Sequence, residues 1–184
     1  MAKCPICNSR KGKRPCLIMD APICSQCCGT TRTADTCSGC GFYQPPKRNY
    51  NEVPAYTPAE MDGNPQLESI GNSIEGALVA YDVDIGQSLT DKDAITIVER
   101  LIDRYHFQVQ DMSQDSQLIQ DGVERVDLVM NDDLGGVNQE TLVKVLGVIR
   151  FVARRRTRLG REYMQVIHQF VGHRVAPGIR ALSL

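Results

Sequence analysis

Eight cysteines stand at positions 4, 7, 16, 24, 27, 28, 37 and 40 of a 184-residue chain, and none follows. Six form three Cys-x-x-Cys pairs, Cys4 with Cys7, Cys24 with Cys27 and Cys37 with Cys40, leaving Cys16 and Cys28 single. In a Cys-x-x-Cys turn two sulfurs meet one metal ion along an edge of a tetrahedron, at Zn–S distances of about 2.3 Å, while nearby amides donate to the thiolates. Eight thiolates therefore supply two four-sulfur sites without remainder.

Cys27 and Cys28 are neighbours, and neighbouring side chains diverge, so the two are expected to serve different ions. With each pair kept whole, Cys4, Cys7, Cys24 and Cys27 close a first site, and Cys16, Cys28, Cys37 and Cys40 close a second. The ligands of the two sites then interleave along the chain, which defines a cross-braced module. The rival is a ribbon-like pairing of "CPIC" with "CSGC", which forces Cys27 and Cys28 into one site.

The succession "CPIC", "PC", "ICSQCC" and "CSGC" resembles the interleaved two-zinc fingers of the B-box, MYND and HIT type. It departs from them in having no histidine ligand. It also resembles an uncharacterised prokaryotic family of zinc-finger proteins with a helical C-terminal part, a likeness carried by the first 40 residues. The eukaryotic fingers mediate protein contacts, and the resemblance implies the same here.

Two Zn²⁺ are the expected cofactors. The three-cysteine ferredoxin run is absent, and a proline- and turn-rich segment suits a small closed zinc module. Zinc binding, at roughly 10 kcal/mol or more, becomes folding free energy for a segment too short to build its own hydrophobic core. Saturated thiolate sites leave no open position for water, so hydrolytic zinc chemistry is not expected. No phosphate-cradling glycine loop, nucleophile elbow or dinucleotide fingerprint occurs, and "NDDLGGVN" lacks calcium-loop spacing. The chain therefore reads as non-enzymatic, with no catalytic residues.

Charge is partitioned along the chain. Residues 1–50 carry eight Lys/Arg against two Asp/Glu, residues 51–140 four against nineteen, and residues 141–184 nine against one. In the first segment Arg10, Lys11, Lys13, Arg14 and Arg32 either form a phosphate-contacting patch or offset the anionic metal clusters. In the last, Arg150, Arg154, Arg158 and Arg161 recur at helical spacing and form a stripe for a partner, or pair with the acidic middle of the fold. His106, His168 and His173 read as packing or surface residues. The pairs Asp82/Asp84 and Asp132/Asp133 read as solvated or capping groups.

These side chains must be positioned by a small number of elements. Residues 1–43 form the zinc module, and 44–65 are a proline-rich linker with little helix and no part in the core. Residues 66–184 are an α-helical domain, so the fold class is a small all-cysteine zinc-binding module followed by an all-α helical bundle. The first helix, about 66–82, places Leu67, Ile70, Ile74, Ala77, Leu78 and Tyr81 on one face. The second is capped by Thr90 with Asp93 in the capping-box position, and buries Ala94, Ile95, Val98, Leu101, Ile102 and Tyr105. A third runs from about Ser116 to Met130 with an unfavourable Gly122, and "NDDLGG" follows as a loop. Asn138 caps a fourth segment that is either one helix or two broken near Leu159 and Gly160. Strand signals are weak, "FQVQDM" being the best.

No apolar run reaches the roughly 20 residues of a membrane span, and the N-terminus lacks the apolar core of a signal peptide. The expected location is cytoplasmic, where reducing conditions favour metal ligation over disulfides, and no membrane partner is expected. The functional expectation is an adaptor or accessory subunit of a protein complex, with a protein as partner. The alternative is nucleic-acid binding through the basic N-terminal loop and the arginine stripe. A thiol- or zinc-based redox-responsive regulator is the further alternative.

Overall fold

The computed structural model describes residues 3–37, 39–43, 48–158 and 160–182. Residues 44–47 of the proline-rich segment and Leu159 of the expected helix break lie outside them. The chain divides into two compact units, Met1–Arg48 and Asn49–Leu184.

In the first unit β1 (Arg14–Cys16) and β2 (Ala21–Ile23) form an antiparallel hairpin, followed by α1 (Ser25–Thr31) and the single turn α2 (Ala34–Cys37). Lys3 bridges Lys11 ahead of the hairpin. Gly12 is there because a Cβ would sit 2.1 Å from the Pro22 carbonyl oxygen, closer than any side chain permits. The buried centre is Cys4, Ile23, Cys24 and Cys27, so cysteines take the place of a hydrophobic core.

The second unit opens with a strap over the helices rather than a free linker. Val53 is buried in the core, and Tyr50, Tyr56 and Met61 pack against it. Gly147 makes room for the crossing, since a Cβ there would lie 2.7 Å from the Pro54 carbonyl oxygen. The strap ends in α3 (Pro58–Met61), one turn closed by a Thr57/Glu60 capping box.

Then come α4 (Pro65–Asp84), α5 (Asp91–Tyr105), α6 (Gln117–Leu134), α7 (Gln139–Arg156) and α8 (Glu162–Phe170). The six expected core residues of α4 are buried, but so is every residue from Gly76 to Asp82. This helix is central, packed by α6, α7 and α8, and more than one face is covered. The Thr90/Asp93 capping box of α5 forms as expected; Ile97 and Asp103 join its buried face, while Ile95 and Tyr105 are only half-buried. Gly122 is a contact point: its Cβ would lie 2.4 Å from Ile97 Cδ1 and 2.9 Å from Tyr81 Cε1.

Three expectations change. The helix expected to stop at Met130 runs through "NDDL" to Leu134. Asp133 there accepts from Arg174 at 2.9 and 3.0 Å, so its charge is matched by a partner distant in sequence. "FQVQDM" is a loop, with Gln108 at φ 56°. The strands lie elsewhere, at β3 (His173–Ala176) and β4 (Ile179–Ala181), an antiparallel hairpin turned at Pro177–Gly178 and packed on α4. The unit is thus helical with a terminal hairpin, because a tail of this length with a Pro-Gly turn pairs with itself more readily than it forms another helix.

The fourth segment is two helices. Gly160 takes φ 124°, a conformation suited to glycine, and the Gly160 amide donates to Glu162 Oε2 at 3.1 Å. Buried Asp91, the first residue of α5, accepts from the Tyr163 and Met164 amides at 3.2 and 3.0 Å, and so caps α8 from another helix.

Candidate metal centre

Four of the eight cysteines meet. One sulfur from each of Cys4, Cys7, Cys24 and Cys27 lies within 4.8 Å of the other three, and this is the one such group among the described residues. A tetrahedron of sulfurs about 2.3 Å from a central ion has edges of roughly 3.8 Å, so the cluster is of a size to hold one. The donor set is soft and all-thiol, which suits zinc.

Local structure explains the convergence. The first Cys-x-x-Cys pair lies in a turn, with the Cys4 amide donating to the Arg10 carbonyl at 2.7 Å and the Asn8 amide to the Cys4 carbonyl at 2.8 Å. The second pair opens α1: Cys24 is the N-cap, and its sulfur accepts from the Cys27 amide at 3.4 Å. A helix N-terminus offers amides to the thiolate.

The thiols are electrostatically unequal. Hydrogen bonds from the Ser9 hydroxyl and from the amides of Ser9 and Arg10 pull the Cys7 thiol down to about 5. Burial pushes Cys4 up, but donors led by the Cys24 amide outweigh it and leave that thiol below its ordinary value. Cys27 goes the other way, to about 12, through its contact with Cys24, its burial and its proximity to Cys7 and Cys4. Crowding thiolates in this way is costly without a cation at their centre.

Cys16, Cys28, Cys37 and Cys40 line a small cleft of about 20 Å³ on the same unit, with Leu17, Ile18 and Ile23. No three of their sulfurs lie within 4.8 Å of one another, as those of the first cluster do. Successive residues of a helix are turned by about 100°, so α1 can aim Cys27 at the first cluster and Cys28 at the cleft. The Arg14 guanidinium donates to the Cys28 sulfur at 3.6 Å, and Arg32 Nε donates to the Cys28 carbonyl at 3.3 Å. Two of the five basic residues singled out in this segment thus serve the cleft, while Arg10, Lys11 and Lys13 are exposed.

The arginine stripe of the second unit is split. Arg150 is buried and pairs with Glu99 at 2.7 Å, and Arg161 pairs with Asp82 at 2.8 Å. Arg154 and Arg158, with Arg155, are exposed and make no ion pair among the described residues. Pairing inside the fold therefore accounts for two of the four.

Sequence reasoning missed the role of Asp82. It is fully buried and accepts from the Leu89 amide at 2.7 Å, from Arg161 Nη2 at 2.8 Å and from His168 Nε2 at 2.7 Å. Its position one step past Tyr81 on α4 was the available signal.

The helical unit also carries a groove of about 700 Å³, lined by Val53, Ala55, Met61, Val148, Phe151 and Val152 among others. Phe151 is half-exposed there, with the Arg155 guanidinium 5.3 Å above its ring. Among the described residues no helix is long and apolar enough to cross a membrane. Compared with known proteins, the chain matches no family model, no curated protein and no solved structure.

Proposed function

We propose that this chain is a non-enzymatic zinc-binding interaction protein, an adaptor or accessory subunit of a larger complex. Its N-terminal module holds two Zn²⁺, one at Cys4, Cys7, Cys24 and Cys27 and one at Cys16, Cys28, Cys37 and Cys40, in the cross-braced order. The observation that carries this reading is the convergence of the first four sulfurs within 4.8 Å, a saturated donor set with no place for substrate. The cleft lined by the other four cysteines supports the second ion and the interleaved pairing.

The groove beside Phe151 supports the interaction role, since α7 continues from its apolar lining to the exposed Arg154 and Arg155, the latter over the Phe151 ring. The partner segment that fits is apolar on one side and acidic where it meets the exposed arginines, while Asp62 and Glu68, which also line the groove, favour a cationic residue beside them. Metal analysis of the purified chain should find two zinc ions per chain, and fewer than one would refute the module. Co-purification at ordinary salt should yield a stable partner that Phe151→Ser with Arg155→Glu releases; recovery only as a lone monomer would remove the adaptor role.

The second reading is nucleic-acid binding, favoured by the same exposed arginines. It predicts affinity that falls steeply with salt and is reduced by changing Arg154, Arg155 and Arg158 together.

A further inference from the structure

The turn between β1 and β2 reads Leu17-Ile18-Met19-Asp20, and its three apolar side chains are 69%, 52% and 46% exposed. Three consecutive exposed large apolar residues are a liability in a soluble module unless something covers them. Successive side chains are turned by about 100° in a helix and 180° in a strand, and a turn that reverses the chain likewise spreads three consecutive side chains over more than one face. A flat or shallow protein surface covers one side of such a projection. Covering all three takes a medium that surrounds the tip.

The strand leading into the tip supplies the second observation. Along residues 11–17 exposure alternates: Lys11, Lys13, Pro15 and Leu17 are exposed, while Gly12, Arg14 and Cys16 are partly covered. Lys3 is exposed and bridges Lys11, which puts its side chain on the same face as its partner's. Lys3, Arg10, Lys11 and Lys13 make no ion pair among the described residues. Residues 3–19 contain five cations and no carboxylate. The surface therefore changes along one direction from cationic to apolar, with Lys13 roughly 13 Å behind Leu17 at about 3.3 Å per residue.

We infer that this hairpin docks on the surface of an anionic lipid bilayer, with Leu17, Ile18 and Met19 inserted at the interface and Lys3, Lys11 and Lys13 held at the phosphate level. Interfacial elements sink roughly 5–10 Å into the headgroup and acyl boundary, and a lysine side chain reaches forward to the phosphates from the position of Lys13. A fluid interface envelops a convex tip, and anionic headgroups match the unpaired lysines. Asp20, exposed at φ 45°, closes the turn and opposes the interaction through its charge. The attachment is peripheral, so it needs no membrane-spanning segment. It is independent of the groove on the helical unit and goes beyond the adaptor reading.

The test is sedimentation of the zinc-loaded full chain with vesicles of phosphatidylcholine alone and of phosphatidylcholine containing phosphatidylserine. Binding is expected to the anionic vesicles, with affinity falling as salt rises and at least about tenfold weaker to the neutral ones. Met19→Ser, outside the lining of the cysteine cleft, should weaken it about fivefold or more, and each of Lys11→Gln and Lys13→Gln about fivefold. Asp20→Asn, which tolerates the same backbone conformation, should strengthen it. Because these residues are exposed, the variants should keep their zinc content and far-ultraviolet circular dichroism, and only variants that do are compared. Three outcomes would overturn the inference: no binding to anionic vesicles at low salt, binding insensitive to the Met19 change, or tip-dependent binding to an acidic amphipathic peptide but not to vesicles. Such failures would leave the zinc stoichiometry and partner tests untouched.

Discussion

The sulfur of Cys7 lies 3.9 Å from the sulfur of Cys24, although seventeen residues separate them. That distance is close to the edge of a zinc–thiolate tetrahedron, so the turn at the N-terminus and the first turn of α1 stand at a spacing that one ion could bridge. Cys24→Ser should lower zinc affinity at the first site by about a hundredfold or more, a quarter of a binding energy of roughly 10 kcal/mol or above. Competition with a chromophoric chelator measures it. The helical unit has its own core, and its thermal transition should be unchanged.

Cys28 tests the second site of the cross-braced order. In the cross-braced order, Cys28→Ser weakens the site shared with Cys16, Cys37 and Cys40 and leaves the Cys4/Cys7 site filled. Cobalt substitution reads this directly, since the thiolate-to-cobalt absorption of the variant should fall to that of one four-sulfur site. Loss of metal from the Cys4/Cys7 site alone would contradict the cross-braced order, and Cys37→Ser separates it from the ribbon-like pairing, which alone puts Cys37 on the ion held by Cys4 and Cys7.

Asp82 is the most consequential single side chain of the helical unit. Asp82→Ala removes the carboxylate shared by Arg161, His168 and the buried Leu89 amide, leaving Arg161 only the Gln87 carbonyl, and should cost about 3–5 kcal/mol in chemical denaturation. Asp82→Asn keeps part of the hydrogen bonding and should fall between. A change below about 1 kcal/mol for the alanine variant would mean that water replaces the carboxylate.

The terminal hairpin should be pH-sensitive through Asp133. Hydrogen bonding from Arg174 holds the Asp133 carboxyl below its ordinary range, so the folded value lies below the unfolded one. The stabilisation is present above the unfolded pKa near 4 and is lost as pH falls through the folded value. Arg174→Gln should destabilise the unit by about 1–2 kcal/mol at neutral pH, with the difference shrinking in acid. Denaturation midpoints at neutral pH and near pH 3 give the comparison.

Gly122 carries opposing effects whose balance is measurable. Alanine is better than glycine by about 1 kcal/mol in a helix, yet its Cβ would sit 2.4 Å from Ile97 Cδ1 in a fully packed interior. Overpacking of this kind costs about 1–3 kcal/mol, so Gly122→Ala should be neutral to destabilising and Gly122→Val clearly destabilising. A gain of stability in the alanine variant would show that the Ile97 side chain moves aside freely.

The sequence by itself determined the features that rest on local periodicity and spacing. Cysteine spacing located the cluster of Cys4, Cys7, Cys24 and Cys27, because a Cys-x-x-Cys turn sets its own geometry over four residues. Apolar steps of three and four located α4 to α7, and Thr90 and Asn138 marked helix starts by bonds to amides three residues on. Only the tertiary structure decided what depends on partners distant in the chain. It drew the proline-rich strap onto α7 and made Gly122 and Gly147 points of close approach. It gave Asp82 and Asp91 to α8, committed Arg150 and Arg161 internally and left Arg154 and Arg158 exposed. A buried carboxylate and a solvated one read the same in sequence, since what distinguishes them is which amide, guanidinium or imidazole the fold brings within hydrogen-bond reach.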